Sequence, residues 1–126
     1  MKKDKEYWKK NLDKMSYEVL RNAATEMPFS GEYNMFFDDG LYKCKGCGNI
    51  LFESKSKFDS GCGWPSFDEC IKGSIIYKED NSLNRIRTEI LCSKCDGHLG
   101  HVFNDGPTDS GLRYCVNSAS LNFKKD

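Results

Sequence analysis

The sequence of 126 residues has no apolar run approaching the roughly 20 residues that a membrane-spanning helix needs. It has no excess charge of either sign, with nineteen Lys and Arg against nineteen Asp and Glu. A balanced chain offers no electrostatic footprint for nucleic acid or an anionic membrane, so neither is an expected partner. The charged opening Met1-Lys2-Lys3-Asp4-Lys5-Glu6 leads into no apolar segment and does not read as a secretory signal, which points to the cytoplasm. There is no repeat of solenoid length and no low-complexity stretch. Histidine is scarce, at two residues. The length predicts one domain, large enough for a core and small enough to gain from a staple.

Cysteine, by contrast, is plentiful at seven residues. In a chain without an export signal, disulfides are rare unless catalytic, and paired cysteines more often bind metal. An odd count leaves at least one thiol outside any scheme of pairs.

Along the chain, Lys3 to about Ala24 carries helical spacing, with Tyr7, Trp8, Leu12, Met15, Val19 and Leu20 on one apolar side. Asn11 or Asp13 is placed to cap a break between two short helices. Pro28 ends the helical segment at Met27. Short β-type runs follow: 34–37, 41–44, 50–53, 74–77, 84–91, 100–104 and 112–117. Turn clusters such as Asp38-Asp39-Gly40, Asp59-Ser60-Gly61 and Asn104-Asp105-Gly106-Pro107 separate them. The expected architecture is mainly β: a helical N-terminal arm over residues 1–30, packed on an antiparallel β part over residues 31–126.

Four cysteines form two knuckles. Cys44-Lys45-Gly46-Cys47-Gly48 and Cys92-Ser93-Lys94-Cys95 each place two residues between thiols, so a tight turn aims both sulfurs at one ion. Together Cys44, Cys47, Cys92 and Cys95 complete a four-thiolate site that suits one structural Zn2+ and leaves no position for a reactive water. A thioredoxin-like redox pair is the alternative, but no βαβ pattern surrounds either knuckle. Iron is a lesser candidate for the same ligands.

Three cysteines remain. Cys115 lies in a strand-like run between Arg113 and Asn117, a setting that favours a reactive thiolate. Cys62 lies between Gly61 and Gly63 in a loop expected to be mobile, beside Trp64, whose ring is either core or a binding face. Cys70 has no evident partner and reads as a small buried hydrophobe. With the metal ligands already supplied, His98 and His101 are better suited to acid–base or hydrogen-bonding work than to metal.

Taken together, Gly63-Trp64-Pro65-Ser66-Phe67, His98-Leu99-Gly100-His101-Val102-Phe103 and the run from Arg113 to Leu121 make the chain resemble the methionine-R-sulfoxide reductase B family. The resemblance extends from Thr25-Glu26-Met27-Pro28-Phe29-Ser30-Gly31 to Leu121. It implies two antiparallel sheets of the β-tent, Mss4-like kind, with a zinc site remote from catalysis. It also implies roles. Cys115 is the nucleophile, Cys62 the resolving cysteine, and Trp64 the residue that receives the substrate methyl group. His98, His101 and Asn117 surround the sulfoxide, with Phe103 and Asp105 as further members of the pocket. Cys70 and Asp109 stand where the family often has proline. The implied chemistry is attack of Cys115 on the sulfoxide sulfur, with His101 the most plausible acid. A sulfenic acid follows, then a Cys62–Cys115 disulfide, which thioredoxin reduces. The implied substrates are oxidised proteins or peptides carrying the R epimer.

Two other readings use the same residues. A Cys115–His101–Asn117 hydrolase needs an oxyanion hole and leaves Cys62 without a task. A metal-stapled module could grip a peptide with the Trp64 loop and catalyse nothing.

Overall fold

The computed structural model describes residues 4–125. The charged start through Lys3 and the last residue, Asp126, lie outside the described residues, so the helical spacing expected from Lys3 is described only from α1 onward. Helix α1 spans Lys5–Asn11, and the Asp4 carboxylate caps it by accepting from the Tyr7 N–H at 2.9 Å. Helix α2 spans Lys14–Asn22, and Asp13 caps it through the Ser16 N–H. Of the two candidate caps, Asp13 therefore starts the second helix. Asn11 stays in the first, its amide donating back to the Tyr7 carbonyl. The break resets the helical phase, so one stripe cannot run through both helices. Trp8, Val19 and Leu20 are buried, but Tyr7 and Met15 are exposed and Tyr17 is buried instead.

Among the described residues, nine strands form two antiparallel sheets. The smaller sheet has the order β2-β1-β9, with β1 at Gly40–Cys44, β2 at Ile50–Glu53 and β9 at Leu121–Lys125. The larger has the order β3-β4-β8-β7-β6-β5. Its strands are β3 (Lys57–Phe58), β4 (Ser66–Phe67), β5 (Ile75–Asp80), β6 (Arg87–Cys92), β7 (His98–Phe103) and β8 (Arg113–Val116). The run 34–37 is not a strand. Its Asn34 and Phe36 amides close turns on Gly31 and Tyr33, and Phe36 packs edge-on to Phe123 at 4.7 Å. The aromatic content that suggested a strand serves local packing instead. One apolar cluster joins the arm to both sheets, including Trp8 and Leu20 from the arm, Tyr42 and Leu51 from the smaller sheet, and Ile90, Leu99 and Val116 from the larger.

The two knuckles are structural copies. Gly48 N–H donates to the Cys44 carbonyl at 2.8 Å, and Asp96 N–H to the Cys92 carbonyl at 2.9 Å. Cys44 N–H reaches Asn49, and Cys92 N–H reaches Gly97, both at 2.8 Å. The residue after the second cysteine is left-handed in each, Gly48 at φ 82° and Asp96 at φ 61°. Aspartate is among the few side chains that tolerate that region. Each hairpin then carries a register shift, in which Leu51 and Leu99 are the unpaired extra residues.

The four cysteine sulfurs lie within 4.8 Å of one another. Cys44 and Cys95 are 3.7 Å apart, and Cys47 and Cys92 are 3.5 Å apart. A tetrahedral ion bonded to four thiolates sets sulfurs about 3.8 Å apart, so the set fits one metal ion. Such an ion would join the β1–β2 hairpin of one sheet to the β6–β7 hairpin of the other. The arm covers this corner: Arg21 stacks on Trp8 at 4.5 Å and donates to the Cys95 carbonyl at 2.8 Å. At such a site metal binding is folding energy. Cys95→Ser is expected to lose the bound metal and to lower the melting temperature by about 10 °C or more. Metal content and thermal melting check this, and a chelator-stripped protein that melts with the untreated one would contradict it.

Candidate active site

Side chains alternate across a strand, and directly paired residues face the same side of a sheet. In the larger sheet Cys115 pairs with Ser66 and with His101, Phe103 with Arg113, Glu89 with His101, and Asp80 with Arg87. Parity therefore puts all of these on one face. His98 lies three residues from His101 and would face the other side of an uninterrupted strand. The extra residue Leu99 shifts the parity, so both imidazoles share the face, their centroids 5.7 Å apart. The opposite face carries Phe67, Ile90, Tyr114 and Val116, all buried.

A cavity of about 270 Å³ opens on the shared face. Cys62, Trp64, His101, Phe103, Cys115 and Asn117 line it, joined by Thr25, Arg113, Arg85 and Arg87. His98 and Asp105 do not line it; each stands behind a residue that does.

The sulfurs of Cys62 and Cys115 are 3.7 Å apart. Two thiols this close titrate as a pair. The Cys62 thiol is lowered to about 4, first by its bond with Cys115 and further by the Ser60 and Ser66 hydroxyls, against burial. The Cys115 thiol is pushed well above its ordinary range, first by the same bond and then by burial, while Arg113 acts to lower it. The pair thus gives up one proton readily and holds the other. The favoured thiolate of the pair therefore sits on Cys62, while Arg113 is the group that acts toward a thiolate on Cys115. The loop bearing Cys62 is not free, for Phe29 N–H donates to the Gly63 carbonyl at 2.7 Å. Gly63 itself sits at φ 98°, and a Cβ added there would lie 2.7 Å from Pro28.

Each histidine is backed by a carboxylate. His98 Nδ1 lies 2.6 Å from Glu89 Oε2, and His101 Nε2 lies 2.7 Å from Asp80 Oδ2. Burial lowers the His98 pKa, opposed by Glu89. The bond from His101, with the Ser82 amide, holds the Asp80 carboxyl well below the usual carboxylate range. Arg113 grips Asp105 with two bonds, at 2.8 and 3.1 Å, and stacks over the Phe103 ring at 4.5 Å. Asp105 therefore orients the cation beside Cys115.

Glu26 ties the arm to the site. Its N–H donates to Asn117 Oδ1 at 2.9 Å, and its carbonyl accepts from Trp64 Nε1–H at 3.1 Å. Its carboxylate accepts from the Ala119 N–H at 2.9 Å. Asn117 spends its remaining amide on the Leu99 carbonyl at 3.0 Å. Both polar atoms of Asn117 are thus engaged with backbone.

Cys70 departs from the expectation of burial. It is half-buried, with Sγ 3.7 Å from the Tyr114 hydroxyl and 3.8 Å from that of Tyr77. Tyr114 adjoins Cys115 and faces the other side of the sheet, so Cys70 lies across the sheet from the cavity.

Asp80, Glu89 and Glu26 were not among the residues expected at the site, and Arg113 was expected only as a neighbour of Cys115, not as part of the cavity wall. Arg113 was within reach of sequence reasoning, since residues i and i−2 of a strand share a face. Asp80 and Glu89 stand out only once strand register is known.

Burial raises the Glu26 pKa, with the Ala119 and Ser118 amides only partly offsetting it. A raised carboxyl contributes its stability below the ordinary carboxylate range and loses it as pH rises through the raised value. Glu26→Gln is therefore expected to gain stability relative to wild type as pH rises from 4 to 7, read by urea unfolding. Glu26→Ala leaves the Ala119 N–H without its acceptor, at about 1–3 kcal/mol, and is expected to shift Trp64 fluorescence. Equal stability differences for Gln at both pH values would contradict this account.

Comparison with known proteins agrees with this geometry. The family model described as "SelR domain" matches residues 12–125. "Peptide methionine sulfoxide reductase MsrB" of Bradyrhizobium diazoefficiens is 57% identical over 120 residues, covering 94% of this chain and 86% of that protein. The protein of the same name from Leptospira interrogans is 54% identical over 125 residues, covering 98% and 95%. Among solved structures, a Mis18 "Yippee-like" domain aligns with a TM-score of 0.56 at 18% identity. It covers 70% of this chain and 97% of that one, and the likeness is one of fold alone. The SelR match over nearly the whole chain and these identities establish that the chain belongs to the MsrB family.

Proposed function

We propose that this protein is an oxidoreductase that reduces methionine sulfoxide to methionine, acting on the R epimer in oxidised proteins or peptides. The observation that carries this reading is the pair of thiols, Cys62 and Cys115, 3.7 Å apart in a cavity lined by Trp64 and His101.

Cys115 thiolate, favoured by Arg113, attacks the sulfoxide sulfur. His101 supplies a proton to the sulfoxide oxygen, making it a leaving group, and Asp80 stabilises the charged imidazole. Net transfer of the oxygen releases methionine and leaves Cys115 as a sulfenic acid. Cys62 condenses with it, forming the disulfide and releasing water. A dithiol reductant such as thioredoxin restores both thiols, becoming oxidised in turn. Trp64 provides a face for the substrate methyl, where sulfur–aromatic contact contributes roughly 0.3–1.5 kcal/mol. Phe103 extends that surface. His98, with Glu89, holds the second imidazole position against His101, while Asn117 braces the strand and Asp105 orients Arg113. The metal ion of Cys44, Cys47, Cys92 and Cys95 is read as structural zinc. A closed thiolate shell gives it no part in the reaction. We place the enzyme in the cytoplasm and read it as a single domain, with residues 1–30 an arm on a catalytic part spanning 31–126.

The hydrolase reading is less well supported. Its triad needs Asn117 to orient His101, but the Asn117 amide is spent on Glu26 and Leu99, and His101 turns to Asp80. A binding module gives the paired thiols no task.

The direct test is incubation with separate R and S epimers and a thiol reductant. The R epimer alone is expected to yield methionine, and reduction of the S epimer alone would overturn the assignment. Cys62→Ser is expected to release one methionine per enzyme and then stall as the sulfenic acid with thioredoxin. Cys70→Ser should turn over normally, since Cys70 lies across the sheet. A Cys70–Cys115 disulfide in the oxidised wild type, mapped by mass spectrometry, would contradict that.

Loss of a general acid typically slows a reaction about 10²–10⁴-fold. His101→Gln should slow sulfenic acid formation in a single turnover by that order while the melting curve shows a folded protein. An unchanged rate from acid to neutral pH would remove His101 from the step.

A further inference from the structure

Among the described residues, three arginines line the cavity and no carboxylate lines it with them. Two are already paired: Arg87 reaches Asp80 at 3.3 Å, and Arg113 reaches Asp105 at 2.8 Å. Arg85 is exposed and makes no ion pair among the described residues. Its backbone is nevertheless fixed. Arg85 N–H donates to the Ser82 carbonyl at 3.2 Å, and Ser82 N–H donates to Asp80 Oδ1 at 2.9 Å. Asp80 is the carboxylate that bonds His101, so the turn that presents Arg85 is built on the same side chain that orients the proposed acid.

We propose that Arg85 is a specificity-determining residue that recognises a carboxylate of the substrate at the mouth of the cavity. The proposal rests on the reading of the chain as a methionine sulfoxide reductase. A cavity of about 270 Å³ suits a single side chain of that size. The backbone that bears the sulfoxide stays outside, and whatever flanks it meets the rim. The rim there presents one uncompensated cation on an anchored turn. The complementary group is a carboxylate, either the side chain of an Asp or Glu beside the oxidised methionine or the α-carboxylate of the free amino acid. A rim charge of this kind acts on encounter and substrate choice more than on chemistry, and salt screens it.

The experiment compares kcat/KM for two R-sulfoxide peptides that differ only in Glu or Gln on either side of the oxidised methionine. Wild type, Arg85→Gln and Arg85→Glu are assayed at low and high salt. In the wild type at low salt the Glu-flanked peptide is expected to lead by about 2–5-fold, the range of an exposed ion pair. The lead should reside in KM with kcat shared. It should vanish in Arg85→Gln, reverse in Arg85→Glu and shrink at high salt. Because each enzyme is scored by the ratio of its two peptides, a general loss of activity does not mimic the result. N-acetyl-methionine sulfoxide and its amide form the second arm. An Arg85-dependent lead for the free acid assigns the α-carboxylate, and one confined to the peptides assigns the neighbouring side chain. Equal rates for both peptides and both small substrates, or a lead that persists in Arg85→Glu, would overturn the proposal while leaving the reductase reading intact. A wild type that reduces none of these substrates would overturn both.

Discussion

The site depends on one extra residue. Leu99 has no partner on β6, and that single unpaired position decides which way His98 points. Without it, His98 would face the buried side with Ile90 and Val116, away from Glu89. With it, both histidines, Glu89, Cys115 and Arg113 share a face. The bulge is a product of the metal knuckle. The same turn, the same pair of backbone bonds and the same unpaired leucine recur at Leu51 in the first hairpin, where there is no active-site chemistry. The bulge therefore belongs to the cysteine-knuckle hairpin as such, and the candidate site is built on the second copy. The four-cysteine cluster thus bears on the candidate site through the strand that leaves its second knuckle.

The second dependence runs through the arm. Glu26 spends its amide, its carbonyl and its carboxylate on three separate parts of the protein, namely Asn117, Trp64 and Ala119. Three residues on, Phe29 sits at φ 65°, a region that bulky side chains avoid at a cost of order 1–3 kcal/mol. Its amide bond to Gly63 and its packing against that glycine offset the strain. The strained residue thus holds the loop that carries Cys62. The expectation of a mobile loop came from the two glycines. Both admit positive φ, and Gly63 also admits the close approach of Pro28 and Phe29, which restrains the loop.

Much of this was legible in the sequence, for identifiable reasons. The knuckles were legible because two-residue spacing between cysteines has few other uses. The helical break was legible because Asp13 is a strong cap. The short strands β3 and β4 were not, since two residues carry no periodicity, and the β9 alternation of Leu121 and Phe123 lies where attention falls on the nucleophile. The run 34–37 misled because aromatic residues favour strands only when a neighbouring strand offers them a pleated surface. At the site, Cys62, Trp64, His101, Phe103, Cys115 and Asn117 come from recognisable motifs or lie beside them, whereas Arg85 and Arg87, which also line the cavity, do not. The carboxylates that orient them, Asp80 and Glu89, come from paired strands and are fixed by register, which no local pattern states.

Register also explains how two thiols of one protein meet very different fates. Cys70 and Cys115 both approach Tyr114, one through its hydroxyl and one through the backbone. Since β8 sends Tyr114 inward and Cys115 outward, the sheet itself separates the two sulfurs, and no rotamer change brings them together. Cys62 reaches Cys115 because β4, following directly from its loop, pairs with β8 at Ser66 and Cys115. Strand pairing delivers the loop to Cys115, and the Ser66 hydroxyl, 3.4 Å from Cys62 Sγ, completes the contact from the paired position. Under the proposed mechanism, which cysteine can resolve a sulfenic acid on Cys115 is a question of strand parity before it is one of thiol reactivity.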